Sequence, residues 1–260
     1  MRLLVIFFYL LVIMTSNAIT STRTSTSTST YTRVIVFHKP VGLITTNNDE
    51  LGRETVIEAL RKNGLPFELH DCLVSCGRLD KDTSGLLLLT NDGLLAHHIT
   101  NPTAVVTQGQ KSSHHHLTKE YRAKCMNWPT EETLQRLRQG VDLGGGLGCS
   151  QPATIEIEST VEKPKSTWLR ITIAEGKNRQ IRRMLHAVGH GCMELERVRI
   201  GGIILGKIAP NPGDFCEISG EEILGALGFQ PRVIFGGVAG KDHERAQWSS
   251  RRDRSRRRRR

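Results

Sequence analysis

Gly77-Arg78-Leu79-Asp80-Lys81-Asp82-Thr83-Ser84-Gly85-Leu86-Leu87-Leu88-Leu89-Thr90-Asn91-Asp92-Gly93 is the stretch on which the fold turns. Leu86–Thr90 is a continuous apolar run behind a glycine, the pattern of a strand buried on both faces. Asn91-Asp92-Gly93 stops it, and Asp92 caps a short helix that runs to about Ile99. Ahead of the strand an acid, Asp80, stands among turn-forming neighbours. Asp and Gly serve many turns only by satisfying backbone groups. Alone, the stretch therefore gives a buried strand, a turn and one candidate acid.

Working outward, Val34–Phe37, Leu73–Cys76 and Tyr121–Met126 read as further strands. Ala153–Glu158 and Trp168–Ile173 alternate apolar and polar residues, as half-buried strands do. Ile200–Ile208 reads as strand, loop, strand. Helical spacing covers Glu54–Asn63, Glu131–Arg138, Asn178–Ala187 and Gly220–Leu227. Strands and helices do not alternate as βαβ units. The class is α+β, with a mixed, mostly antiparallel sheet and flanking helices.

A second chemical segment is Glu175-Gly176-Lys177-Asn178-Arg179-Gln180-Ile181-Arg182-Arg183-Met184. It is a glycine turn and a helix start crowded with cations. Helices start more favourably with acids, so cations here point to an anionic ligand such as phosphate. A solvated basic face is the competing reading. A third segment is Lys119-Glu120-Tyr121, whose tyrosine is chemically relevant only if it shares a cavity with Asp80.

Together these segments resemble the RsuA-type family of ribosomal RNA pseudouridine synthases. The matching pieces are HKPVGLITT at 38–46, GRLDKDTSGLLLLTNDG at 77–93, KEYRA at 119–123, EGKNRQIRRM at 175–184 and LERVRIGG at 195–202, in family order. The resemblance implies a mixed-sheet catalytic domain over 34–226 with a central RNA-binding cleft. It implies an isomerase that detaches the base of a uridine from C1′, turns it and rejoins it through C5. The catalytic acid falls on Asp80, the tyrosine on Tyr121, and the cation paired with the acid on Arg182. A guanidinium beside a carboxylate favours its ionised form and orients it. The target base must leave its stack to reach Asp80. RNA contacts are expected from Lys39, Arg78, Lys81, Lys177, Arg179, Gln180 and Arg183, with surface ion pairs as the alternative for the charged ones. The chemistry involves no redox step, and no cofactor and no metal is expected. Ribosomal RNA is the expected partner, transfer RNA remains compatible, and the protein is expected to be a monomer. In layout it is closest to the minimal RluE-like members, because the leader runs straight into Val34 and leaves no room for an S4 domain.

The formal charge of +10 comes from the ends. Setting aside three basic residues in 1–33, and ten basic and three acidic residues in 241–260, leaves 23 of each sign in 34–240. The high pI is thus poor evidence about the core's partner. Residues 3–14 are an apolar run of twelve behind Arg2, shorter than the ~20 residues of a membrane span. Residues 1–18 have the layout of a signal peptide, with a signal anchor as the alternative. Residues 19–33 are a Ser/Thr-rich, acid-free linker resembling a transit peptide. Signal followed by transit resembles the bipartite leader of a plastid protein, with no stable membrane anchor after its removal; a mitochondrial address or a secreted protein with a mucin-like stalk are the alternatives. Residues 227–260 are expected to be a basic, disordered tail with eight arginines in 251–260. It suits non-specific phosphate contacts or mere solubilisation.

Six scattered cysteines show no CxxC spacing and are expected to be reduced and mostly buried. The polar 108–118 stretch with His114, His115 and His116 reads as a surface insertion, not a metal site. Two other functions compete with the isomerase. One is a non-catalytic RNA-binding descendant of the family, and the other a secreted cationic binding protein.

Overall fold

The computed structural model describes residues 30–46, 49–101 and 117–234. The expected signal segment, nearly all of the linker, most of the 108–118 insertion and the arginine-rich tail lie outside the described residues.

The elements in chain order are β1 (Thr30–Tyr31), β2 (Val34–Lys39), α1 (Val56–Lys62), β3 (Val74–Ser75), β4 (Ser84–Thr90), α2 (Gly93–Thr100), β5 (Lys119–Met126), α3 (Glu131–Gln139), β6 (Thr154–Val161), β7 (Ser166–Ile173), α4 (Gln180–Ala187), β8 (Cys192–Ile200), β9 (Ile203–Ile204), α5 (Leu205–Ile208), β10 (Phe215–Ile218), α6 (Gly220–Leu227) and β11 (Val233–Ile234). The main sheet runs β10-β2-β4-β8-β5-β7-β6, with β3 beside β4 and β9 beside β8. All of its pairings are antiparallel except β4 with β8. The α+β class with a mixed, mostly antiparallel sheet is what the structure shows.

The two halves of the sheet bury their residues differently. Strands β2 and β4 are covered on both faces. Ile35, Phe37, Leu87 and Leu89 enter one apolar cluster, and Val34, Val36, Leu86 and Leu88 enter the other. Helices α1, α3 and α4 close the first cluster through Leu60, Leu137 and Met184. Helices α2 and α6 close the second through Leu95 and Ile223. Double burial is why both strands read as unbroken apolar runs. Strands β5 to β8 bury one face only. Their open face is a charge ladder in which Arg122 meets Glu158 at 2.8 Å, Arg170 meets Glu120 at 2.6 Å and Arg199 meets Glu120 at 2.7 Å.

The halves join at a short parallel seam, Ser84 opposite Glu196 and Gly85 opposite Arg197. Gly85 has φ +105°, and a Cβ there would run into the Arg197 backbone. Only glycine permits that approach. Arg197 also stands opposite Tyr121 in β5. Gly85, Arg197 and Tyr121 therefore form one row across three strands. The row brings the turn before β4 next to Tyr121.

Several boundaries differ from the sequence reading. The nine-residue β8 and the short β10 carry too much charge, or are too short, to read as strands. Ile203–Ile208 is a two-residue strand and one helical turn, not strand, loop, strand. Among the described residues, paired strands continue on both sides of 34–226. Strand β1 pairs with β11, Phe229 is buried in the second cluster, and Arg232 reaches Asp92 at 2.7 Å. Thr30–Arg33 and residues 227–234 thus belong to the fold rather than to a linker and a tail. The cysteines are all free, but only Cys76 and Cys125 are buried, while Cys149 and Cys216 are exposed.

Candidate active site

The turn between β3 and β4 and the start of α4 face each other across an open cleft. Its lining includes Arg78, Asp80, Thr83, Tyr121, Gly176, Lys177, Arg179 and Gln180. The three separated sequence segments thus meet in one place. Tyr121 comes from β5, and its strand neighbours in the register fix its height in the cleft. Tyr121 lines the cleft, and its hydroxyl makes no hydrogen bond to another described residue.

Asp80 is held by cations, but not by the one expected. Arg179 Nη1 lies 3.3 Å from Asp80 Oδ2. The same guanidinium reaches both oxygens of Asp82, at 3.3 and 3.2 Å. Arg182 instead donates to the Asp82 carbonyl at 2.8 Å and the Cys192 carbonyl at 3.1 Å, and pairs with the Asp82 carboxylate at 3.2 Å. The pairing of Arg182 with Asp80 is therefore corrected. Arg182 lies within α4; its terminal nitrogens go to the Asp82 and Cys192 carbonyls and the Asp82 carboxylate, and its buried Nε has no partner among the described residues. Arg179 precedes the helix with φ +49° and ψ +34°, which turns its side chain over the cleft. Burial works against the charge on Asp82. The bond from Arg179 and the field of Arg182 outweigh it and hold the carboxyl below the usual carboxylate range.

Two expected RNA contacts are structural. Lys39 is fully buried, and its Nζ donates to the carbonyls of Pro40 at 3.0 Å, Asp80 at 3.1 Å and Thr83 at 2.8 Å. All three protons are used, and they brace the turn that carries Asp80. Burial pushes this ammonium down to about 8, despite the opposing pull of Asp80 and Asp82. Gln180 is also buried. Its carbonyl accepts from the Lys177 amide at 2.9 Å, and its amide donates to Glu175 at 2.5 Å. It shapes the glycine turn and has no free edge for RNA.

The remaining cations divide by exposure. Arg78 and Lys81 are exposed and have no ion pair among the described residues. Lys177 donates to the Cys149 carbonyl at 2.6 Å and stands 3.4 Å from Glu175. Arg183 turns away from the cleft and donates to the Leu143 carbonyl at 3.2 Å. Among the described residues, no group of three acids, histidines or cysteines is placed to hold a metal.

The chain matches the family described as RNA pseudouridylate synthase over residues 33–187. It is 34% identical over 202 residues to ribosomal large subunit pseudouridine synthase E of Vibrio vulnificus, covering 72% of this chain and 75% of that protein. It is 33% identical to ribosomal large subunit pseudouridine synthase B of Bacillus subtilis, covering 72% of this chain and 68% of that one. Ribosomal small subunit pseudouridine synthase A of Escherichia coli is 33% identical over 75% of this chain and 74% of its own. A crystal structure of a pseudouridylate synthase superposes with a TM-score of 0.61 at 28% identity, covering 78% of this chain and 76% of that one. The mixed sheet is the fold of a pseudouridine synthase, an isomerase. The chain belongs to the RNA pseudouridylate synthase family and is an RNA pseudouridine synthase.

Proposed function

We propose that this protein converts one uridine of ribosomal RNA to pseudouridine, with Asp80 as the carboxylate that engages C1′. The observation that carries this is the meeting of Asp80, Arg179 and Tyr121 in one cleft. The relatives named for ribosomal subunits support the substrate class. A carboxylate at that place serves as a nucleophile on C1′ or stabilises a cationic sugar, and both roles use the same position. Arg179 orients it, and the Lys39 clamp sets the height of its turn. Tyr121 offers a flat face for the displaced uracil. Arg78, Lys81 and Lys177 serve as contacts to the RNA backbone; the exposure of Arg78 and Lys81 without an ion pair among the described residues supports this for those two. Arg182 acts through the turn, by holding Asp82 and its carbonyl.

The test is tritium release from unmodified ribosomal RNA labelled at C5 of uridine. Release by the wild-type protein that vanishes in Asp80→Ala is the expected result. Equal release by both overturns the role of Asp80, and release from transfer RNA alone overturns the substrate.

The site of action is proposed to be a plastid. The support is the order of the first 33 residues, an apolar run and then a Ser/Thr-rich, acid-free stretch. A fluorescent protein carrying these residues is expected in plastids. Its appearance in the medium or in mitochondria overturns this address.

A further inference from the structure

Two buried polar side chains, one lining the cleft and one behind its Gly176 wall, have no partner among the described residues. Thr83 is 2% exposed and lines the cleft, and its hydroxyl makes no hydrogen bond. Lys119 is 7% exposed and makes neither an ion pair nor a side-chain hydrogen bond. It precedes Tyr121 by two residues on β5, and the alternating burial of that strand puts both on one face. Its Nζ ends beside Gly176, where an added methyl carbon would stand 3.7 Å away, and Gly176 lines the cleft. The nearby Arg197 is also buried. Its Nε is spent on the Leu86 carbonyl at 2.7 Å, and its Nη2 is unpaired.

Buried polar groups in folded proteins nearly always have partners, and an unpaired buried charge is costly. Burial pushes the Lys119 ammonium down to about 8, and Arg197 adds to the effect. The contrast with Lys39 is instructive, because that buried lysine donates all three of its protons. A lysine left unsatisfied beside a substrate cleft fits a partner that arrives with the substrate. Phosphates belong at the rim, with the exposed Arg78 and Lys81. At the floor, the arriving group is the base. Uracil presents two carbonyl oxygens and one N–H. An ammonium donates to the first kind, and a hydroxyl can meet either.

The reaction sharpens the match. When the bond between C1′ and N1 breaks, its electron pair stays with the base, which becomes an anion spread over the ring nitrogens and carbonyl oxygens. After the ring turns, C5 bonds to C1′, the C5 hydrogen leaves as a proton to solvent and N1 takes up a proton, so atoms and charge balance. A cation at the carbonyl edge of the base stabilises the anion more than the neutral nucleotide. We propose that Thr83 and Lys119 form the uracil-binding floor of the cleft, and that Lys119 offsets the negative charge of the departing base. This rests on the isomerase function proposed above.

The test compares the full chain with Lys119→Met and Thr83→Val, using C5-labelled RNA at saturating protein. Lys119→Met is expected to melt no lower than wild type and to bind RNA within about threefold, while its single-turnover tritium release falls roughly 100-fold. Thr83→Val is expected to lose about tenfold, the worth of one hydrogen bond. Lys119→Arg is expected to recover part of the rate. Wild-type release by Lys119→Met overturns the proposal. So does a marked loss of RNA affinity with an unchanged saturated rate, which marks a phosphate contact. A lowered melting temperature marks a structural lysine and also overturns it. Absence of release by the wild-type protein from every ribosomal RNA overturns the function itself, a result distinct from all of these.

Discussion

Arg179 Nη1 stands 3.3 Å from Asp80 Oδ2, and Arg179 holds that contact from a left-handed backbone at φ +49°. This conformation costs a residue with a side chain about 1 kcal/mol or more. A turn that only had to start α4 would be more stable with glycine. The expected outcome is a split between two variants. Arg179→Ala and Arg179→Gly both lose the guanidinium and most of the tritium-release rate. Only Arg179→Gly also relieves the backbone, so it melts higher than Arg179→Ala. Equal melting would show that the turn stores no strain.

Lys39 and Lys119 form a natural contrast. Removing the Lys39 ammonium leaves the carbonyls of Pro40, Asp80 and Thr83 without their shared donor. Lys39→Met is therefore expected to lose about 2–4 kcal/mol in chemical denaturation, since orphaned buried acceptors cost about 1–3 kcal/mol each and partly relax. Retention of full stability would remove the bracing role of Lys39.

Lys119 also gives stability a pH dependence with a definite sign. Its ordinary value of 10.5 falls to about 8 in the fold. Below pH 8 the folded chain carries the buried charge and its cost. Between 8 and 10.5 the unfolded chain holds a proton that the folded chain has released, so stability rises with pH. Lys119→Met removes this dependence. The stability advantage of the variant is expected to be largest below pH 8, on the order of 3 kcal/mol, and to close toward pH 10.5. Urea denaturation of both proteins from pH 7 to pH 10 measures it, and a gap that widens with pH would contradict the assignment.

The sequence showed some of this plainly and hid the rest for physical reasons. Leu86–Thr90 is legible because both faces of β4 are buried, which leaves no polar interruption. Strand β8 is illegible because it carries Glu194, Glu196, Arg197 and Arg199, and its outer charges belong to the open ladder. The acid at Asp80 could be singled out from its motif. Its partner could not, because Arg179 and Arg182 share one basic run and only the left-handed turn at Arg179 decides between them. Lys39 looked like a cleft residue for a similar reason. The Asp80 and Thr83 carbonyls that consume it lie 41 and 44 residues away in the chain.

Gly85 is the tightest point in the sheet. A Cβ there collides with the Arg197 backbone, and φ +105° is itself unfavourable for a side chain. Gly85→Ala is expected to cost about 3 kcal/mol or more. The effect reaches the site because the row Gly85, Arg197, Tyr121 sets the distance between the Asp80 turn and Tyr121. Activity is therefore expected to fall even where the variant remains folded, at low temperature. A folded Gly85→Ala protein with full activity would show that the seam does not position the site.

The C-terminal end of the domain gives a prediction in acid. Asp92 has a fully buried side chain, yet it caps α2 and receives Arg232 on both oxygens, at 2.8 and 2.7 Å, and the Thr32 hydroxyl at 2.9 Å. Burial works against its charge, and these bonds outweigh it, holding its carboxyl below the usual range. Such a carboxylate contributes stability that is fully present above its unfolded value and is lost as pH falls through its folded one. Arg232→Ala leaves the charge buried with only Thr32 and the Leu94 amide to meet it. At pH 7 the loss is expected to be about 2–3 kcal/mol. As pH falls below about 4 and on through the lowered folded value, the wild type loses this contribution and the difference should shrink. Residues 228–234 also anchor Phe229 in the core and pair β11 with β1, so a chain ending at Leu227 should be destabilised more than Arg232→Ala. Melting of the two altered chains beside the wild type at pH 7 and at pH 4 decides the matter: equal stability of all three would return these residues to the tail.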